Sequence, residues 1–217
     1  MSGRAAALRW VELVALFALV PLAFLVVLLR HPNAHFALIP LLWVVAFFLL
    51  LLLSSHDGWE HRQLLRLPAS SQPLRVVLVR FAFVGTAMAL ATYIVAPNDF
   101  LKLPLTDPWM MLAIGVLYPA LSVIPQGVIY RVFMSERYAR LFRSETSFII
   151  FTAACFAAGH VIFRNWVAVA TTFAGGLIFM RTYRLTRSHL LASFEHALYG
   201  VFAFAIGIGR FLILAAA

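Results

Sequence analysis

The stretch "VIPQGVIYRVF", Val123–Phe133, sets a proline, an amide, a glycine and an arginine inside an apolar run. A proline removes a backbone hydrogen bond, and a cation within a bilayer is costly, so these residues need a reason to be there. One reading is a kinked turn of a membrane helix, with Arg131 snorkelling to the nearer surface along its aliphatic stem. The other is the remnant of a catalytic motif. The rest of the chain decides between them.

Over 217 residues the chain is 64% hydrophobic and 12% charged, with a mean hydropathy of +0.95. Soluble domains are about half apolar and a quarter charged, so this composition describes an integral membrane protein. A spanning helix needs about 20 mostly apolar residues. Apolar windows place spans at Leu8–Leu29, His35–Leu53, Leu74–Ala96, Pro108–Met134, Ser147–Phe163, Trp166–Met180 and His189–Ile208. The fold class is therefore all-α, a polytopic transmembrane helix bundle of about seven spans, with residues 1–217 as one membrane domain. In "TDPW", Asp107 stands at an N-cap and Pro108 at the first helical position, which fixes where the fourth span begins. The segment 54–73 is too polar to cross and reads as an amphipathic surface piece, with Trp59, Leu64 and Leu65 toward the acyl boundary and Arg62 and Arg66 near headgroups.

The net charge of +9 resides in loops between apolar runs, which points to anionic lipid headgroups as partners and away from nucleic acid. Arg4, Arg9, Arg62, Arg66, Arg75, Arg80, Arg137, Arg140, Arg143, Arg181, Arg184 and Arg187 fall on one side of the predicted spans; Arg30, Lys102, Arg164 and Arg210 fall on the other. The positive-inside rule then puts the N-terminus in the cytoplasm and the protein, multi-pass, in a cell membrane of bacterial inner-membrane type. Cys155, the single cysteine, lies in an apolar run and forms no intrachain disulfide.

Polar groups left inside the spans are Gln126, Arg131, His160, Glu195 and His196. A lone histidine on an apolar helix is most simply a hydrogen-bonded core residue. Glu195 is harder to account for, because a carboxylate at that depth must be paired, protonated or set against a wet cavity. In "FAAGH", Phe156 and His160 share a helical face, and Gly159 leaves room for a close backbone or a substrate. In "SFEHALYG", Glu195 and His196 diverge by about 100° around the helix, so they do not both point at one centre. "PQGVIYR" places Gly127 and Arg131 one turn apart, and Pro125 frees a carbonyl nearby. If the fourth, fifth and seventh spans converge, Gln126, Arg131, His160 and His196 line one polar pocket in the half of the bilayer nearer the cytoplasm.

At these residues the chain resembles the CPBP family, the CAAX prenyl endopeptidases and bacteriocin-processing enzymes, also called glutamic intramembrane endopeptidases. The family pattern is E-E-x-x-x-R, then F-x-x-x-H, then H-x-x-x-N or a variant, on successive helices. Here the corresponding segments are Gln126-Gly127 through Arg131, Phe156 through His160, and His196 through Gly200, within residues 108–209. The resemblance implies a membrane endopeptidase in which a motif-one glutamate and His160 activate water and His196 stabilises the oxyanion, with Phe156, Tyr130 and Gly200 in the substrate and oxyanion region. Both motif-one carboxylates are missing, since Gln126 and Gly127 occupy their places.

Three functions follow. The protein is a peptidase acting on a membrane-associated or lipidated peptide with Glu195 as replacement carboxylate; or a pseudoprotease scaffold or immunity-type protein that binds such a peptide uncut; or a proton-coupled transporter. No cofactor is expected; the alternative is a divalent metal held by His160, His196 and Glu195.

Overall fold

The computed structural model describes residues 3–55 and 59–213, and the described residues form helices and short connections, with no strand among them. Seven long helices carry the architecture: α1 (Ala6–Arg30), α2 (Asn33–Ser54), α3 (Gln72–Val95), α4 (Pro108–Leu141), α5 (Glu145–Phe163), α6 (Trp166–Thr186) and α7 (His189–Ile206). All except α6 are both long enough and apolar enough to cross a bilayer. At 21 residues α6 has the length. Its composition differs because it runs through the interior, where Thr172, Gly176, Phe179, Thr182 and Tyr183 are buried, and its last turns carry arginines.

The helix boundaries follow from capping chemistry. Asp107 accepts a hydrogen bond from Met110 N at 2.9 Å with Pro108 next to it, as the sequence predicts. Ser144, Asn165 and Ser188 do the same for α5, α6 and α7, each accepting from the backbone three residues on. Gly207, at φ 98°, ends α7 in the left-handed conformation that glycine adopts without penalty. Gly176 lets α5 and α6 meet closely; a Cβ there would lie 2.9 Å from Ala153 Cα.

Ion pairs clasp one end of the bundle. Arg137 at the end of α4 holds Glu12 of α1 at 2.8 Å, Arg184 of α6 holds Glu145 of α5 at 2.6 Å, and Arg187 holds Glu136. Ser188 Oγ donates to Arg66 O at 2.7 Å, bringing the 54–73 segment to the same end. Arg210 pairs with Asp99 where α3 and α7 finish, at the other end. Of the three expected membrane contacts in the 54–73 segment, Trp59 and Leu64 pack against the protein core and Leu65 stays exposed, so two of the three turn inward. His56–Gly58 of that segment lie outside the described residues.

The fourth helix is irregular in an informative way. Wide π turns occupy Pro119–Val123 and Val128–Phe133, flanking a short regular piece at Ile124–Gly127. Pro125 lacks the N–H that would reach back to Leu121, and the freed Leu121 carbonyl accepts instead from Trp43 Nε1 of α2 at 3.1 Å. The kink is thereby stapled to a neighbouring helix.

Candidate binding cavity

A cavity of about 600 Å³ lies among α4, α5, α6 and α7, with aliphatic and aromatic walls and a few polar groups. Gln126, Phe156, His160, His196 and Gly200 border it. Three separated motifs of the sequence thus converge on one space. The cavity extends past Met110, Phe163, Thr171 and Ile208 toward the end where α4 and α6 begin. That is the end opposite the Glu136–Arg187 and Glu12–Arg137 clasps, and so the opposite direction from the one expected. The clasped end is filled by Phe133, Met134, Met180 and Tyr183, all buried.

Tautomers follow from what each partner is able to do. His160 Nδ1 lies 2.7 Å from Phe156 O, a carbonyl that only accepts, so Nδ1 carries the hydrogen and Nε2 keeps its lone pair. Arg131 Nη1, which only donates, lies 3.4 Å from His196 Nδ1, so that nitrogen accepts and His196 Nε2 is the protonated one. Nε2 then donates to the Tyr118 hydroxyl at 3.2 Å. Phe179 stacks on the His196 ring at 4.5 Å and fixes its plane. Gln126 donates from Nε2 to Ser122 Oγ at 2.7 Å, while its Oε1 has no partner.

Arg131 does not border the cavity. It is buried behind His196, its guanidinium also reaching Ser193 Oγ at 3.2 Å and the Val123 carbonyl at 3.5 Å. The last of these is a carbonyl two residues before Pro125. The guanidinium end and His189 fill the space over Gly127, where a Cβ would come within 2.5 Å of His189 Cε1 and 3.0 Å of Arg131 Cζ. Arg131 Nε and His189 Nδ1 are left without hydrogen-bond partners. Gly127 therefore offers no open position to the cavity.

Glu195 departs furthest from expectation. Fully buried, it turns toward α3 and α6, where Arg80 binds Oε1 at 2.5 and 2.9 Å and Thr182 Oγ1 donates to Oε2 at 2.6 Å. It borders no part of the cavity. The 100° divergence of neighbouring residues sends His196 one way and Glu195 the other. The metal alternative falls with it: no group of three His, Cys, Asp or Glu side chains is close enough to hold an ion among the described residues. Tyr130, assigned above to the substrate region, instead packs edge-on against Phe17 and Phe156, and its ring fills the room above Gly159.

Sequence reasoning passed over Tyr118, Tyr199 and His189. Tyr118 and Gln126 are eight residues apart, which on a regular helix separates them by about 80°. The π turn at Pro119–Val123 absorbs one residue, so the pair behaves as seven apart and comes to within about 20°. Both consequently face the cavity. Pro119 three residues before Ser122, in a helix with a second proline, was the available signal.

Compared with known families, residues 107–202 match the model described as Type II CAAX prenyl endopeptidase Rce1-like. No curated protein and no solved structure matched the chain.

Proposed function

We propose, from the Rce1-like character of residues 107–202, that this multi-pass membrane protein of the CAAX endopeptidase group binds a lipidated or otherwise apolar peptide tail in its cavity and leaves it uncut. One observation carries this reading: among the described residues no Asp or Glu borders the cavity, and the carboxylate nearest in sequence, Glu195, is committed to Arg80 and Thr182. The hydrolysis that the resemblance implies pairs a carboxylate with His160 to activate water; an amide such as Gln126 is no base at neutral pH, Gly127 has no side chain, and the His160 lone pair is left without that carboxylate. The size of the cavity is within the usual range of about 300–1,000 Å³ for a bound small molecule or chain, and its walls suit an acyl or prenyl group. The basic, clasped end would face the cytoplasm of the cell that carries it.

The test is binding and turnover of a fluorescent S-farnesylated peptide by the protein in nanodiscs. Saturable binding without cleavage is expected, and cleavage abolished by His160→Ala would overturn the reading. Gly127→Glu combined with His189→Ala, which clears part of the space and leaves the flexible Arg131 guanidinium to shift and pair with the new carboxylate, is expected to bring in cleavage. A general base contributes about 10² to 10⁴ in rate, so the gain would stand well above background.

A further inference from the structure

We propose that Tyr118 is the cavity's ligand-orienting donor and that the group it receives, together with His160, is an uncharged secondary amide such as a peptide bond. This rests on the binding role proposed above and specifies what the cavity recognises.

The phenol occupies space that a side chain at position 200 would otherwise take. A Cβ on Gly200 would lie 2.7 Å from Tyr118 Cζ, so the glycine is what admits the ring beside His196. There the hydroxyl meets His196 Nε2 at 3.2 Å. Because Arg131 makes His196 Nδ1 an acceptor, Nε2–H donates to the Tyr118 oxygen, and the phenolic hydrogen remains available. Arg131, His196 and Tyr118 form a chain of donors that ends in the cavity, each link polarising the next. A hydroxyl so held offers its hydrogen to a carbonyl oxygen.

The acceptors are complementary. His160 Nε2 holds a lone pair because Nδ1–H is spent on Phe156 O. Gln126 Oε1 is a second acceptor without a partner. Tyr199, only 7% exposed, also borders the cavity and its hydroxyl is unpartnered. Buried polar atoms are rarely left unpaired in a finished structure, so these mark a site completed by a ligand. Among the described residues no Asp, Glu, Lys or Arg borders the cavity, which removes any direct counter-charge for an ionic head. A carboxylate would confront the His160 lone pair and the Gln126 oxygen. An amide presents one N–H to an acceptor and one C=O to the tyrosine.

The experiment reads thermal stabilisation of the protein in nanodiscs by N-methyldodecanamide, tridecane and sodium dodecanoate, converted to apparent affinities. This readout needs no peptide, so loss of farnesyl-peptide binding would count against the function proposed above without touching it. The wild type is expected to prefer the amide to tridecane, and Tyr118→Phe to cut that preference about 3- to 10-fold while tridecane binding stays put. A purely structural role for the phenol would move both probes alike. Tyr118→Ala with Gly200→Asn, which builds an amide donor into the same space from the other helix, is expected to restore the preference. The proposal is overturned if Tyr118→Phe leaves the amide preference unchanged or weakens both probes equally, or if dodecanoate outcompetes the amide.

Discussion

Glu195 and His196 are neighbours in the chain and belong to two different intramembrane polar clusters. The first, Arg80–Glu195–Thr182, is charged, and both carboxylate oxygens are engaged at 2.5–2.9 Å. The second, Tyr118–Gln126–His160–His196, borders the cavity with uncharged groups, a 3.2 Å contact between Tyr118 and His196, and an unpaired oxygen on Gln126. The pair teaches how to read polar residues in a bilayer protein. An intramembrane ionisable group marks function by default, but a carboxylate with both oxygens met is holding helices together. Incomplete satisfaction beside a cavity is the better sign of a binding site.

Four substitutions would break or sharpen that contrast. The largest effect is expected from Glu195→Ala, which leaves the Arg80 guanidinium without its counter-charge; losing one partner of a buried pair typically costs about 3–5 kcal/mol. Chemical denaturation in micelles measures it, and a change below about 1 kcal/mol would erase the structural role assigned to this cluster. Next comes Arg80→Leu with Glu195→Leu. With both charges gone no group is stranded, and the double variant is expected to recover most of the loss, as a double-mutant cycle would report. Thr182→Val removes one donor to a charged acceptor and should cost about 1.5–3 kcal/mol. His160→Phe is smallest, since the ring is kept and a single hydrogen bond is lost, about 1 kcal/mol. Should His160→Phe unfold the protein as readily as Glu195→Ala, the two clusters are not different in kind.

Much of the architecture was legible because apolar run length and capping residues act locally. Asp107 and Pro108 start α4 where their side-chain chemistry says a helix starts. The convergence of Gln126, His160 and His196 followed from motif order and helix direction. Glu195 was misread because its partner is 115 residues away on α3, and Arg80 read as one more basic residue near a surface. Tyr118 was hidden by a change of helical phase that regular periodicity does not contain. The filling of the spaces over Gly127 and Gly200 was out of reach for the same reason as any packing detail: a glycine in a sequence does not say which distant side chain leans over it.

The π turn at Pro119–Val123 also makes the chain unusually tolerant of one kind of genetic accident. Losing a single codon inside a membrane helix normally scrambles everything beyond it. Deleting Ala120 would let this turn relax into ordinary helix, with the backbone ladder intact and both ends of α4 still tied down. Azimuth is kept as well: the turn already makes Tyr118 and Gln126 behave as seven residues apart, and after the deletion they are seven apart on a regular helix, so the segment from Pro108 to Tyr118 keeps its face relative to Gln126. Such a protein would fold, reach the membrane and keep its tyrosine on the cavity side of the helix, a variant that expression and ligand assays alike would pass.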